Sequence, residues 1–212
     1  MTYELSGPGA QGRAILRTTP TSPFGRKVRI AAQVLRLDHQ IEERPANTLD
    51  QTDNLRQQNP LGKMPCLLAN GLTMYDSRVI LEYLDAVAGG GKLIPTAGAD
   101  RFQCLTLANL ADGVADAGLL MVYEGRFRNQ DQTSDRWLDH QRGKVARGLD
   151  ALQAAPPDPR HTDVASISLA CMLSYLDWRR PVAWRDTWAG LGAWLDSFAD
   201  AEPAYNATRI SE

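Results

Sequence analysis

Three consecutive glycines, Gly89-Gly90-Gly91, followed by Lys92 and then Pro95, divide this 212-residue chain into two halves with different periodicities. Glycine loses more backbone entropy in a helix than any other residue, and a proline soon after blocks resumption of the helical ladder. Before the break, strand and helix signals alternate. After it, only helical spacing recurs. A chain of this length can form one large domain or two small ones, and the change of pattern selects two. The glycines follow a helical pattern rather than a strand, and no GxxxxGK[ST] is present, so they read as a linker and not as a phosphate loop.

In the first half, Arg13 to Thr18 reads as a strand around the apolar run Ala14-Ile15-Leu16. Val28, Ala31, Ala32 and Leu35 recur at helical spacing, which predicts an amphipathic helix from Pro23 to Leu35. Gln40 to Glu43 reads as a strand, and Thr48 to Gln58 as helix or irregular chain. Pro65 to Ala69 and Leu72 to Tyr75 flank Asn70-Gly71, a hairpin signal because both residues tolerate positive φ. Ser77 to Val87 carries Ile80, Tyr83, Leu84 and Val87 on one helical face. The order is β-α-β-α-β-β-α. A helix joining the first two strands as a crossover implies a parallel pair, and the hairpin adds an antiparallel one.

In the second half, Ala99 to Phe127, Asp135 to Ala154, Asp163 to Leu176 and Trp184 to Ala199 read as helices. The predicted layout is a loose extension over 1–12 that includes Tyr3, a mixed domain over 13–88, a linker over 89–97, and an all-helical domain over 98–212.

Composition narrows the function classes. The chain is 43% hydrophobic, enough for a core, and its net charge of -2 lacks the basic excess of a nucleic-acid binder. The short clusters Arg26-Lys27-Arg29 and Arg179-Arg180 read as solvated helix faces. Cys66, Cys104 and Cys171 are odd in number and without CxxC spacing, so neither zinc nor a redox dithiol is indicated. They read as small buried residues of a protein from a reducing compartment, and a cytoplasmic location is expected. No run is read as long and apolar enough to cross a membrane. Met1 to Gly12 lacks the basic start and apolar stretch of a signal peptide. GxSxG, HExxH and GxGxxG are missing, and His39, His140 and His161 have no orienting motif.

One junction carries chemistry. Ser22 precedes Pro23, a residue suited to the first helical position, so Ser22 is the helix cap. Helix N-termini expose N–H groups and partial positive charge, which hold anions. Asp76 and Ser77 stand at the start of the third helix with the same potential.

Three segments together carry a resemblance. They are Ser22-Pro23-Phe24-Gly25-Arg26-Lys27-Val28-Arg29, Asn59-Pro60-Leu61-Gly62-Lys63-Met64-Pro65 with Cys66-Leu67-Leu68, and Tyr75-Asp76-Ser77-Arg78-Val79-Ile80-Leu81-Glu82-Tyr83-Leu84. In this order and spacing, before an all-helical half, the chain resembles the cytosolic glutathione transferases from Arg13 onward, with a serine where some relatives carry cysteine. The resemblance implies a thioredoxin-like domain followed by an all-α domain. The family's Ser/Thr-x-x-Asp box reads here as Asp163-Val164-Ala165-Ser166, with its polarity swapped and a weaker reciprocal contact expected from Ser166.

The resemblance also implies roles. Ser22 would stabilise the glutathione thiolate, with Phe24 beside it. Met64, ahead of a cis Pro65, would pair by backbone with the cysteinyl part, and Lys63 would sit near the glycyl carboxylate. Ser77 and the helix N–H groups would take the γ-glutamyl carboxylate, and Asp76 would face its amino group. Met121, Tyr123 and Phe127 would line the site of a small electrophile. No metal is implied. The resemblance further implies a homodimer engaged in detoxification. The alternatives are a non-catalytic relative that binds proteins in a stress response, and an isomerase of the zeta type. The zeta type has Ser-Ser-Cys where this chain has Ser22-Pro23-Phe24.

Overall fold

The computed structural model describes residues 4–210; Tyr3 lies outside the described residues. The chain divides into two compact units. One runs to Arg101 and takes back the chain from Ala204, and the other is Phe102–Pro203.

The first unit holds a four-stranded mixed sheet in the order β2-β1-β3-β4, with β1 Ala14–Thr18, β2 Ile41–Pro45, β3 Cys66–Ala69 and β4 Leu72–Met74. Helices α1 (Pro23–Val34), α2 (Leu55–Gln58) and α3 (Ser77–Val87) complete the β-α-β-α-β-β-α order. β1 runs parallel to β2 in the register Ile15↔Glu42, and antiparallel to β3 in the register Leu16↔Leu67. Every residue of β1 is buried, as expected of a central strand covered on both faces. Asn70 and Gly71 have φ of 50° and 76°, the positive values that the β3–β4 turn requires.

Residues 4–12 are not a loose extension. Asn70 donates its backbone N–H to Ser6 O at 2.7 Å, and its side-chain oxygen accepts from Ser6 N at 2.8 Å. Leu5 is buried, and its N–H donates to Gln40 Oε1 at 2.9 Å. The turn residue that tolerates positive φ therefore also docks the tail.

The cluster Arg26-Lys27-Arg29 is not a solvated face either. Arg26 and Lys27 are 4% and 1% exposed. Arg26 donates from Nη2 to Tyr205 O at 2.8 Å and from Nε to Thr208 Oγ1 at 3.2 Å, and its guanidinium lies 4.4 Å from the Tyr205 ring centre. These contacts anchor the segment that returns through the short helix α8, Pro203–Ala207, which the sequence reading missed.

Buried Arg17 of β1 ties down the chain after β2. It donates to Asp53 Oδ1 at 2.6 Å and to Gln58 Oε1 at 2.7 Å. Asp53 also accepts from Asn47 N at 2.7 Å and Leu55 N at 2.8 Å. In the linker, the buried Asp85 carboxylate accepts from the N–H groups of Gly91 (2.9 Å), Lys92 (2.9 Å) and Leu93 (2.7 Å). The N–H groups of this glycine loop thus serve a carboxylate of the chain itself, and the loop lies within the first unit, which continues to Arg101.

The second unit is built on α4 (Gly98–Phe127), α5 (Asp135–Ala154), α6 (Val164–Arg179) and α7 (Ala189–Ala201). Trp184 does not begin the last of these helices. Its indole N–H donates to Asp177 Oδ1 at 2.9 Å, which holds the chain in turns until Trp188. The swapped box of α6 forms completely. Asp163 Oδ1 accepts from Ser166 N at 2.8 Å, and Ser166 Oγ accepts from Asp163 N at 2.9 Å, so the reciprocal contact expected to be weak is present. By length and composition α4 alone among the described helices is long and apolar enough to cross a membrane, with a mean hydropathy of 1.4 over its most apolar window. This corrects the sequence reading. Its buried residues Ala108, Ala111, Val114, Ala115 and Ala117 instead make it a core helix.

Asp85→Ala leaves three linker N–H groups without their acceptor, and we expect a loss of about 3 kcal/mol by urea unfolding, at the upper end for one unsatisfied group. A second test uses acid. Burial raises the Asp53 carboxyl, but the hydrogen bond from Asn47 N is the larger effect. With Leu55 N and Arg17 it holds the group below its ordinary 3.8. The folded state therefore binds fewer protons near that pH, so the contribution is complete above 3.8 and is lost as pH falls through the depressed value. Asp53→Asn should destabilise at pH 7 by about 2–4 kcal/mol and flatten the acid limb of stability below pH 4; an unchanged acid limb would show that Asp53 does not contribute to it.

Candidate active site

The first unit builds its site from three loops. The first is the junction of β1 and α1. Ser22 caps α1, and its Oγ accepts from Gly25 N at 3.1 Å. A serine hydroxyl has two acceptor positions and one donor hydrogen. Capping uses an acceptor position, so the O–H can still donate to an anion. Cap and anion donor are compatible on the same side chain.

Gly25 fixes how closely strand and helix approach. A Cβ built there would lie 1.8 Å from Thr18 Oγ1 and 3.1 Å from Thr18 Cβ, so any larger residue must displace the Thr18 side chain. Thr18, Thr19 and Thr21 carry the other hydroxyls near this junction. The Oγ1 atoms of Thr19 and Thr21 sit 3.2 Å apart, and Thr19 Oγ1 lies 3.4 Å from Met64 Sδ. Those contacts bring the β1–α1 loop beside the second loop.

That second loop contains Lys63, Met64 and Pro65. The Met64–Pro65 peptide is cis, as expected from the sequence. Buried Asn59 shapes the approach: its Nδ2 donates to Lys63 O at 2.8 Å and its Oδ1 accepts from Leu61 N at 3.0 Å. Lys63 is exposed, Met64 is half-buried and Pro65 is buried. The next residue, Cys66, has its thiol pushed up to about 11 by burial, against the pull of Arg17. Cys104 is likewise pushed up to about 11, chiefly by burial. All three cysteines are buried, as read from the sequence, and none is in a disulfide.

The third loop is the start of α3. Asp76 is its cap, and its Oδ1 accepts from Arg78 N at 2.9 Å. Ser77 is buried in the first turn. Arg78 also pairs with Asp76 Oδ2 at 2.6 Å. Burial raises the Asp76 carboxyl, but the hydrogen bonds from Arg78 and the charges of Arg78 and Lys27 outweigh it and hold the group below 3.8. Asp76 is therefore an anion at neutral pH. Lys27, whose Nζ lies 5.7 Å from the Phe24 ring centre, and Arg78 are charges at this site that sequence reasoning did not assign. Nothing in the local pattern distinguished Lys27 from a surface lysine; only the buried face of α1 does.

Helix α1 packs on α3, and Thr19 of the β1–α1 loop meets Met64 of the second loop. Met121, Tyr123 and Phe127 belong to α4 of the second unit. Met121 is buried. The Tyr123 and Phe127 rings meet edge to face with centres 5.2 Å apart. No group of three or more His, Cys, Asp or Glu placed to hold a metal occurs among the described residues.

Comparison with known proteins agrees with this architecture. Residues 16–92 match the family of the glutathione S-transferase N-terminal domain. The chain is 35% identical over 166 residues to YibF, an uncharacterised GST-like protein of Escherichia coli K12, spanning 76% of this chain and 80% of that protein. A glutathione transferase family member from Pseudomonas fluorescens Pf-5, solved with bound glutathione, is 40% identical with a TM-score of 0.87, over 94% of this chain and all of that one. A second structure from that organism, holding S-(propanoic acid)-glutathione, is 39% identical with a TM-score of 0.83, over 93% of this chain and all of the other. With its four-stranded thioredoxin-like sheet followed by a helical unit, this chain belongs to the glutathione S-transferase family.

Proposed function

We propose that the protein is a glutathione transferase of the serine type, in which Ser22 holds glutathione as a thiolate for attack on a small apolar electrophile. The observation that carries this reading is the Ser22 hydroxyl. It accepts from Gly25 N at the start of α1 and keeps its own proton for donation. A free thiol with a pKa near 8.5 is mostly protonated at neutral pH. Lowering it by about two units takes roughly 2.7 kcal/mol of preferential stabilisation of the anion. One charge-assisted hydrogen bond supplies about 1.5–3 kcal/mol, and the helix N-terminus adds about 0.3–1 kcal/mol. Together they are of the required size.

The rest of the tripeptide fits the other two loops. The Met64 backbone would pair with the cysteinyl unit as one strand with another, and Lys63 would meet the glycyl carboxylate. Ser77 and the α3 N-terminus would take the γ-glutamyl carboxylate, and ionised Asp76 its amino group. Phe24 would flank the ligand at Ser22, and Met121, Tyr123 and Phe127 would face the electrophile. The relatives with glutathione and with an S-substituted glutathione support both the ligand and substitution at its sulfur. Serine at this position cannot form a mixed disulfide, which favours conjugation over thiol–disulfide exchange. The buried thiols of Cys66 and Cys104, held protonated at neutral pH, offer no alternative nucleophile. We expect a cytoplasmic homodimer, on the strength of the family resemblance.

The thiolate absorbs near 240 nm (roughly), so its formation in the bound complex can be followed against pH. Wild type should ionise bound glutathione about two pH units below free glutathione. Ser22→Ala should move that titration back toward 8.5 with less than about a threefold loss of glutathione affinity by calorimetry. Identical titrations would remove Ser22 from the mechanism. No heat of binding in wild type would put the non-catalytic, protein-binding reading ahead.

A further inference from the structure

The second unit holds a cavity that the glutathione reading does not use. Its volume is about 460 Å³, and it is lined by Ser134, Arg136, Trp137 and His140 at the start of α5. Ser134 is anchored twice: its N–H donates to Glu124 Oε1 of α4 at 3.0 Å, and its Oγ accepts from Trp137 N at 3.3 Å. The Trp137 and His140 rings lie with centres 5.9 Å apart and planes 29° from parallel. Trp137 is 39% exposed, and an uncovered indole offers a flat face on which another ring can stack.

The lining favours an anion. None of its four residues is acidic, and Arg136 has no ion pair among the described residues. Asp139 is engaged by Arg142 at 2.7 Å and Glu124 by Arg128 at 3.3 Å, while Asp135 is exposed and outside the lining. The Ser134 hydroxyl uses an acceptor position for its cap and keeps its proton, the guanidinium carries five donors, and an imidazole N–H is another. Donors from three separate side chains suit a phosphate monoester, with three terminal oxygens, better than a carboxylate with two. Gln141 adds a second observation. It is 0% exposed, and its amide Nε2 and Oε1 meet no partner among the described residues. Positions 137, 140 and 141 share one helical face, and helical side chains tilt toward the N-terminus, so the amide is directed at the turn that lines the cavity. A buried amide without partners is costly, and a ring with a donor and an acceptor side by side on its edge, as in adenine, pairs with both of its atoms.

We propose that this cavity binds a nucleoside monophosphate, with the phosphate on Arg136, Ser134 and His140, the base stacked on Trp137, and the edge of the base toward Gln141. Its volume falls in the range of roughly 300–1,000 Å³ that small-molecule sites occupy. The site lies wholly within the second unit and is independent of the transferase reading.

Calorimetry on the full-length protein with AMP tests the site, alongside adenosine, inorganic phosphate and 2-naphthyl phosphate. AMP should bind about tenfold more tightly than each of the other three, and its affinity should fall as salt rises. Arg136→Gln should weaken AMP by about tenfold and leave adenosine unchanged. Gln141→Leu should leave 2-naphthyl phosphate unchanged and remove the preference for AMP over it. Saturating glutathione should leave AMP binding as it is. The comparison of four ligands in wild type needs no variant, so a folding defect in either substitution cannot mask the answer. AMP binding no tighter than inorganic phosphate would overturn the site, and so would a preference for AMP that both substitutions leave intact. Equal binding of AMP and 2-naphthyl phosphate would overturn the nucleotide assignment. Displacement of AMP by glutathione would place the nucleotide in the first unit and overturn the proposal while leaving the transferase reading intact.

Discussion

The close approach of Thr18 to Gly25 is the constraint on which the first unit depends. Strand β1 ends and helix α1 begins within that contact, where a Cβ at position 25 would meet Thr18 Oγ1 at 1.8 Å. With strand and helix so near, Ser22 has one place to stand, as the cap of α1, with its oxygen on Gly25 N. The same helix buries Arg26 and Lys27 along its inner side. Arg26 reaches the returning chain at Tyr205 and Thr208. Lys27 adds positive charge toward Asp76. A single packed junction therefore sets the proposed thiolate donor, anchors the C-terminal segment and biases the loop at α3.

Buried charge is the second theme of this unit. Burying an ion is expensive unless its hydrogen bonds are met inside the protein. Arg17, whose Nε alone is left without an acceptor among the described residues, Asp53 and Asp85 show how that is arranged. Arg17 spends its donors on Asp53 and Gln58, Asp53 collects two backbone N–H groups, and Asp85 collects three. Each of these charges orders a loop that has little regular structure of its own. The loop after β2 and the glycine loop after α3 are irregular in sequence but tied down by these partners.

Much of this was legible in the amino-acid sequence, because the signals were local. Asn70-Gly71 between two apolar runs predicted the hairpin, and Ile80, Tyr83, Leu84 and Val87 predicted α3 with the bounds it has. Pro23 after Ser22 predicted the start of α1. What was misread depended on distant partners. Residues 4–12 look like a polar tail until Asn70 and Gln40 supply their hydrogen bonds. Arg26 looks like a surface charge until Tyr205 and Thr208, about 180 positions away, meet it. Helix α4 was read as insufficiently apolar to span a membrane, although its composition passes that test and only its burial marks it as a core helix.

The central claim is geometric: one hydroxyl at the start of α1 meets the sulfur of a tripeptide held by the Met64–Pro65 and Asp76–Ser77 loops. A crystal structure of the glutathione complex measures it most directly. The account predicts the sulfur within hydrogen-bond distance of Ser22 Oγ, with the cysteinyl backbone paired to Met64 and the γ-glutamyl carboxylate at Ser77. A sulfur bound instead at Thr19 or Thr21, or turned away from α1 with the rest of the ligand in place, would contradict it.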